Sequence, residues 1–180
     1  LLITGATGFI GRNLLPSLVK LGWSLRAAVR DVRLLDVLPP EVEPFLLRGE
    51  PDDWLRATEG VKCMVHLIGR AHKPRTPTDL EDFRSVNVFI TKAVLESAIQ
   101  NGVQRFIYMS SIKAVGEGCA IPYNEETPCA PEDPYGRSKL EAEQLILRLA
   151  KGTTLRPIIL RPPLVYGPGV KGNFLRLMKL

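Results

Sequence analysis

Tyr135 and Lys139 stand four residues apart in the stretch Tyr135-Gly136-Arg137-Ser138-Lys139. On a helix that spacing puts both side chains on one face, within reach of each other. Pro134, just ahead, suits the first helical position, where a missing N–H is no loss. A free phenol titrates near pH ~10 and is a poor base at neutral pH. A neighbouring ammonium favours the phenolate and draws that value down. A phenol tuned in this way can take a proton from an alcohol or return one to a carbonyl oxygen. Ser111 lies 24 residues earlier, directly behind the apolar run Val103–Met109. If that run is a strand of a parallel sheet, Ser111 lands beyond its C-terminal end, where ligands gather. Its hydroxyl would then meet the same reacting oxygen. Ser111, Tyr135 and Lys139 therefore form a candidate catalytic set, with Ser111 also a substrate contact.

A second constellation opens the chain: Thr4-Gly5-Ala6-Thr7-Gly8-Phe9-Ile10-Gly11. Gly5 permits a tight turn, Gly8 lets backbone approach a pyrophosphate, and Gly11 allows close helix–strand packing. Thr7, Phe9 and Ile10 flank Gly8, at the start of a helix whose unpaired N–H groups and positive dipole end favour an anion. The second strand should end near an adenosine ribose, and there the sequence reads Ala28-Val29-Arg30-Asp31. Arg30 can fork onto a 2′-phosphate, which favours NADP(H). Asp31 leaves NAD open.

Short apolar runs alternate with helical periods. Leu1–Thr4, Leu25–Val29, Pro44–Leu47, Val61–Ile68, Val103–Met109 and Leu155–Leu160 read as strands. Helical spacing carries Ile10, Leu14, Leu18 and Leu21, then Asp52–Thr58, then one stripe from Phe83 to Ile99, which Asn101-Gly102 stops. A last helix runs from Tyr135 to Ala150 and ends at Lys151-Gly152. Pro157 cannot donate to a ladder, so the last strand is expected to start at Ile158. The alternation predicts an α/β, doubly wound parallel sheet of Rossmann type. Residues 1–161 would form the dinucleotide-binding domain. Residues 162–180, including the amphipathic piece Phe174–Leu180, would begin a substrate-binding region that is largely absent.

Composition narrows the class. The 180 residues are 45% hydrophobic and 24% charged, ordinary for a single globular domain and too apolar for disorder. No apolar run approaches the ~18–20 residues of a membrane span. Leu1 opens the chain without Met or a secretory signal, which reads as a trimmed start and a cytoplasmic protein. Cys63, Cys119 and Cys129 lack CxxC spacing and suggest a reducing compartment, with no disulfide frame and no metal site. His66 reads as a packed residue, and His66 and His72 do not make a metal site. Net charge is +5, and residues 144–180 carry seven basic residues and no acid. That end could meet phosphates. The interleaved aromatics expected of a nucleic-acid binder are missing, so no nucleic-acid partner is expected.

These stretches together resemble the extended branch of the short-chain dehydrogenase/reductase superfamily, over nearly all of the chain. That branch contains nucleotide-sugar epimerases, dehydratases and 4-keto-reductases. Val65-His66-Leu67-Ile68-Gly69 resembles its fourth strand and the turn under the cofactor, which implies Leu67, Ile68 and Gly69 as cofactor contacts. Leu47-Arg48-Gly49-Glu50 resembles the segment whose acid faces the adenine. Asn87 matches a helix asparagine that braces the neighbouring strand and the active-site backbone. Tyr108–Gly116 resembles the family's Ser-Ser-x-x-x-Tyr-Gly segment, with Ser111 at the catalytic hydroxyl, Ser110 structural and Val115 in place of the tyrosine. Ile112-Lys113 replaces the dehydratases' Asp-Glu pair, which argues against water elimination. Leu160–Gly169 resembles the loop that closes over the nicotinamide, which implies Pro162 as a cofactor contact. Asn173 resembles an asparagine that contacts a sugar-nucleotide diphosphate.

The resemblance leans toward the UDP-glucose 4-epimerase-like group. It implies hydride transfer at a ring carbon, C4, of a nucleotide-diphosphate sugar, with Tyr135 as general base and acid. Lys139 would tune Tyr135 and hold the nicotinamide ribose. A homodimer through paired helices, Phe83–Ile99 and Tyr135–Ala150, is also implied. Two other readings stay open: an NADPH-dependent reductase of a 4-keto sugar nucleotide or another ketone, and a non-catalytic NADP-binding module.

Overall fold

Each short apolar run, flanked by turns, is too short for a buried helix and becomes a strand. In the computed structural model, which describes residues 1–71, 80–118 and 122–170, these are β1 (Leu2–Thr4), β2 (Leu25–Val29), β3 (Val42–Leu46), β4 (Cys63–His66), β5 (Arg105–Met109) and β6 (Arg156–Leu160). They form one parallel sheet in the order β3-β2-β1-β4-β5-β6. The helices between them are α1 (Phe9–Lys20), α2 (Asp53–Thr58), α3 (Leu80–Arg84), α4 (Thr91–Gln100) and α5 (Pro134–Ala150). This is the expected doubly wound α/β architecture, and its strand order reverses between β1 and β4. His72, Cys119, Lys171, Asn173, Arg176, Lys179 and the expected helix Phe174–Leu180 lie outside the described residues.

Alternate residues of the central strands feed two cores, as a sheet covered on both faces requires. Leu2, Ala28, Met64, Phe106 and Tyr108 join one core with Val94, Leu95, Ala142 and Ile146. Ile3, Ala27, Val29 and Val65 join the other with Leu15 of α1. β1 and β4 are therefore held from both sides, and the turns that leave their C-terminal ends are fixed in space.

Two expectations about boundaries are corrected. Pro157 lies inside β6, which begins at Arg156, because β6 is the sheet's edge and one side of its ladder goes unused. Pro44 sits inside the opposite edge strand, β3, on the same terms. The stripe from Phe83 to Ile99 is not one regular helix. It starts earlier, at Leu80, and a π-helical stretch, Ser85–Ile90, separates α3 from α4. The buried Asn87 lies in that stretch. Its Oδ1 accepts from Arg70 N–H at 2.7 Å, and its Nδ2 donates to Arg70 O at 3.1 Å and to Ser138 Oγ at 2.9 Å. The wider turn thus ties the segment after β4 to α5.

Close approach explains three glycines. Gly5 has φ +68°, and a Cβ there would lie 2.8 Å from the Leu67 carbonyl carbon. A Cβ on Gly11 would lie 2.4 Å from Ala6 O, so α1 could not pack onto the end of β1. A Cβ on Gly136 would lie 2.3 Å from Lys113 O, in the 3₁₀ turn Ile112–Ala114 behind β5. Gly136 is what lets the first turn of α5 dock against the segment that carries Ser111.

His66 is fully buried. Its Nδ1 is 2.7 Å from Thr4 Oγ1 and its Nε2 is 3.0 Å from Thr91 Oγ1, so one ring links β4, β1 and α4. It stacks near Phe106 and Tyr108, at 5.7 and 5.9 Å between centroids. Burial, with the Lys139 charge second, lowers its pKa to about 3.

Two predictions follow from these contacts. A depressed imidazole makes the unfolded state bind the extra proton below its ordinary value of 6.5. The His66 contribution is then full above that pH and is lost as pH falls toward 3, at up to about 1.4 kcal/mol per pH unit. Denaturant-derived stabilities of His66→Gln should fall less steeply than the parent's between pH 6 and 4; an identical slope would refute this. Gly136→Ala ought to gain up to about 1 kcal/mol by helix propensity alone. The clash at Lys113 O reverses the sign, and we expect a loss of about 2 kcal/mol or more in equilibrium unfolding.

Candidate active site

The C-terminal ends of β1, β4, β5 and β6 open onto one cleft of about 1390 Å³. That exceeds the ~300–1,000 Å³ of most single-ligand pockets. On one side lie Thr7, Gly8, Phe9 and Ile10, where β1 turns into α1. Gly8 is the helix N-cap and offers no side chain to bond the first-turn N–H groups; no acid occupies that turn. Those donors and the dipole's positive end face the cleft. Leu67 and Gly69 line it from the end of β4, and Pro162 from the end of β6.

Gly5, Gly11 and Ile68 support this wall from behind and do not line it. Gly5 is pressed against Leu67 and Ile68, and Gly11 against Ala6. Arg30 is exposed just past β2 and also lies outside the cleft lining. Asp31 is engaged locally: it caps the 3₁₀ turn Val32–Val37 and pairs with Arg33 through Nη2 at 2.7 Å. That pair holds the Asp31 carboxyl down at about 2.

The other side holds Ser111, Tyr135 and Lys139 together, as the spacing anticipated. β5 ends at Met109, and Ser111 caps the following 3₁₀ turn, its Oγ accepting from Lys113 N–H at 3.2 Å. α5 starts at Pro134, with the Asp133 side chain accepting from Gly136 N–H at 2.5 Å. This turn presents Tyr135 to the cleft that Ser111 also lines. The Phe83 ring packs beside it, 5.9 Å between centroids.

The expected tuning of Tyr135 by Lys139 is not what this geometry gives. Burial pushes the phenol above its usual value, the nearby Ser111 hydroxyl and the Lys113 charge act against that rise, and the Asp133 charge adds to it. Lys139 is turned inward instead. Its Nζ donates to Met109 O at 2.6 Å and lies 4.1 Å from the Tyr108 ring centre. Burial lowers this ammonium to about 7, and Glu143 opposes the fall.

Several residues of the site escaped the sequence reading. Lys113 and Asp133 line the cleft and pair at 3.1 Å, with Glu117 also on Lys113. Asp-Pro at a helix start was the available signal for Asp133. Asn13 of α1 donates to Pro168 O at 3.2 Å, joining the two rims of the cleft. Glu143 is 2% exposed and binds both Ser110 and Arg161. Its signal was an acid one turn beyond Lys139 on the buried face of α5.

Comparison with known proteins agrees with this arrangement. Residues 1–178 match the model of the NAD dependent epimerase/dehydratase family. The chain is 42% identical to a UDP-glucose 4-epimerase of Vibrio cholerae, matching over all of itself and 56% of that protein. It is 32% identical to a 4-hydroxy-2-methyl-3-oxo-4-farnesyl-3,4-dihydroquinoline-1-oxide ketoreductase of Stigmatella aurantiaca, over 92% of this chain and 50% of that one. Among solved structures, MoeE5 in complex with UDP-glucuronic acid and NAD superposes with a TM-score of 0.81 at 30% identity, over 94% of this chain and 56% of that chain. The chain thus spans about half the length of these relatives. Among the described residues no helix is long and apolar enough to cross a membrane. With a 3-2-1-4-5-6 parallel sheet, an uncapped glycine turn and a serine–tyrosine–lysine cluster in one cleft, the chain belongs to the NAD dependent epimerase/dehydratase family, in the extended short-chain dehydrogenase/reductase group.

Proposed function

We propose that this chain is the dinucleotide-binding part of an enzyme that moves hydride at a ring carbon, C4, of a nucleotide-diphosphate sugar. The observation that carries the reading is the convergence of Ser111, Tyr135 and Lys139 on the cleft that the α1 N-terminus opens. The first-turn N–H groups around Gly8 would hold the pyrophosphate of the cofactor, and Leu67, Gly69 and Pro162 would pack against its rings. A nicotinamide, when bound, supplies or accepts the hydride. Tyr135 would exchange a proton with the substrate hydroxyl or carbonyl oxygen, and Ser111 would hydrogen-bond that same oxygen. Lys139 would hold the ribose hydroxyls.

The likeness to a UDP-glucose 4-epimerase and to a structure with a UDP-sugar and NAD supports a nucleotide-sugar substrate and NAD. An NADPH-dependent ketoreductase is the second reading, supported by the exposed Arg30 beyond β2 and the ketoreductase relative. Asn173, as the diphosphate contact, belongs to the same proposal. So does a homodimer, for which Phe89 (48% exposed) and Leu147 (55% exposed) offer apolar surface on the paired helical segments.

Tyr135→Phe, in the protein that carries this chain, should cut turnover by roughly 10²-fold or more while leaving NAD(H) affinity within a few-fold. Turnover that survives would overturn the assignment. Arg30→Ser separates the two cofactors. A 2′-phosphate contact predicts roughly a tenfold or greater loss of NADP(H) affinity and little change for NAD(H). Equal affinities before and after would remove Arg30 from the site.

A further inference from the structure

Glu143 is a carboxylate buried to 2% exposure on α5, one turn beyond Lys139. Its Oε1 accepts from Ser110 Oγ, the residue next to Ser111. Its Oε1 and Oε2 accept from Arg161 Nε at 3.1 and 3.2 Å, and Oε2 from Arg161 Nη2 at 2.6 Å. Arg161 immediately precedes the cleft-lining Pro162, whose carbonyl accepts from Ile112 N–H at 3.0 Å. One carboxylate therefore binds three segments that converge on the site: the end of β5, the start of the loop after β6, and α5.

A buried acid has to be held by charge or by several hydrogen bonds. Arg161 meets only part of that need, because it reaches Glu143 from the partly exposed side. On the same helix the i,i+4 neighbour is Lys139. Lys139 in turn is buried, with Met109 O and the Tyr108 ring against its Nζ. The charged or titratable groups that face it are His66 from β4, Tyr108 from β5, and Tyr135 and Glu143 from α5, with Arg161 behind Glu143. His66 is neutral at ordinary pH, so Glu143 is the anion of this set.

We propose that Glu143 is a positioning residue for the Ser111–Tyr135–Lys139 site: it anchors the segments that carry the site and supplies the counter-charge of the Lys139 ammonium. The catalytic part of this statement rests on the dehydrogenase reading above. The electrostatic part does not. Without the carboxylate, Lys139 keeps Met109 O and the Tyr108 ring face, and the Arg161 guanidinium loses its carboxylate partner. Both changes favour the neutral amine.

The test is to follow the Lys139 side chain by NMR in the parent chain, Glu143→Gln and Glu143→Asp. In Glu143→Gln, which keeps most of the shape, the Lys139 titration midpoint should move to lower pH by about one pH unit or more. Glu143→Asp, which keeps the charge but draws it back by a methylene, should give a smaller fall in the same direction; it also decides the matter if the Gln variant does not fold. In the enzyme, the alkaline limb of the pH–rate profile should move down with the midpoint. A scaffold residue would lower thermal stability and turnover at every pH without moving that limb. An unmoved Lys139 midpoint in a folded variant overturns the counter-charge, and a moved midpoint with an unmoved limb overturns its role in the reaction. The dehydrogenase reading fails separately, on turnover that survives Tyr135→Phe.

Discussion

The arrangement depends on how closely α5 can lie against the end of β5. The Gly136 backbone faces Lys113 O with no room for a methyl group between them. Asp133 holds the same turn from its N-terminus, and Lys113 reaches back to Asp133. Across that contact Tyr135 and Ser111 come to line one cleft, and one turn on, Lys139 reaches Met109 O. Separate the two segments by the width of a side chain and the contacts that gather the site are lost together.

Electrostatics then assigns states to the groups so placed. Burial drives each titratable side chain toward its neutral form. His66 follows that rule and serves as a neutral bridge between two threonines. Tyr135 is likewise held as the phenol. Lys139 lies between the limits, near 7, because burial and Glu143 oppose each other. A lysine so poised responds to small changes around it, including the arrival of a ligand's charge. The cleft's other wall offers the Arg12 guanidinium, backbone N–H groups and a helix dipole.

The two rims of the cleft are also joined. Asn13, just past the glycine turn, reaches Pro168 O, and Ile112 N–H reaches Pro162 O. The segment after β6 is thereby tied to both the glycine-turn side and the Ser111–Tyr135 side. β6 itself leaves Ile158 and Leu160 each 42% exposed on its outer face.

Much of this was legible in the residues. The GxxGxxG turn, the strand–helix alternation and the Tyr135/Lys139 spacing are local patterns, and backbone sterics and hydrophobic periodicity act over a few residues. Ser111 could be placed too, because a parallel sheet sends every strand's C-terminal end the same way. Position within the sheet was not legible. Pro157 looks like a fault in a strand until β6 is seen to be an edge, and the sequence does not show that Arg30 stands outside the cleft lining. Nor does helical periodicity reveal the π-helical stretch at Asn87, since its hydrogen bonds run to Arg70 and Ser138. The direction of the Lys139 side chain, the rise of the Tyr135 phenol and the joint hold of Glu143 on Ser110 and Arg161 were decided by tertiary structure alone. Each depends on burial and on partners distant along the chain, which no local pattern encodes.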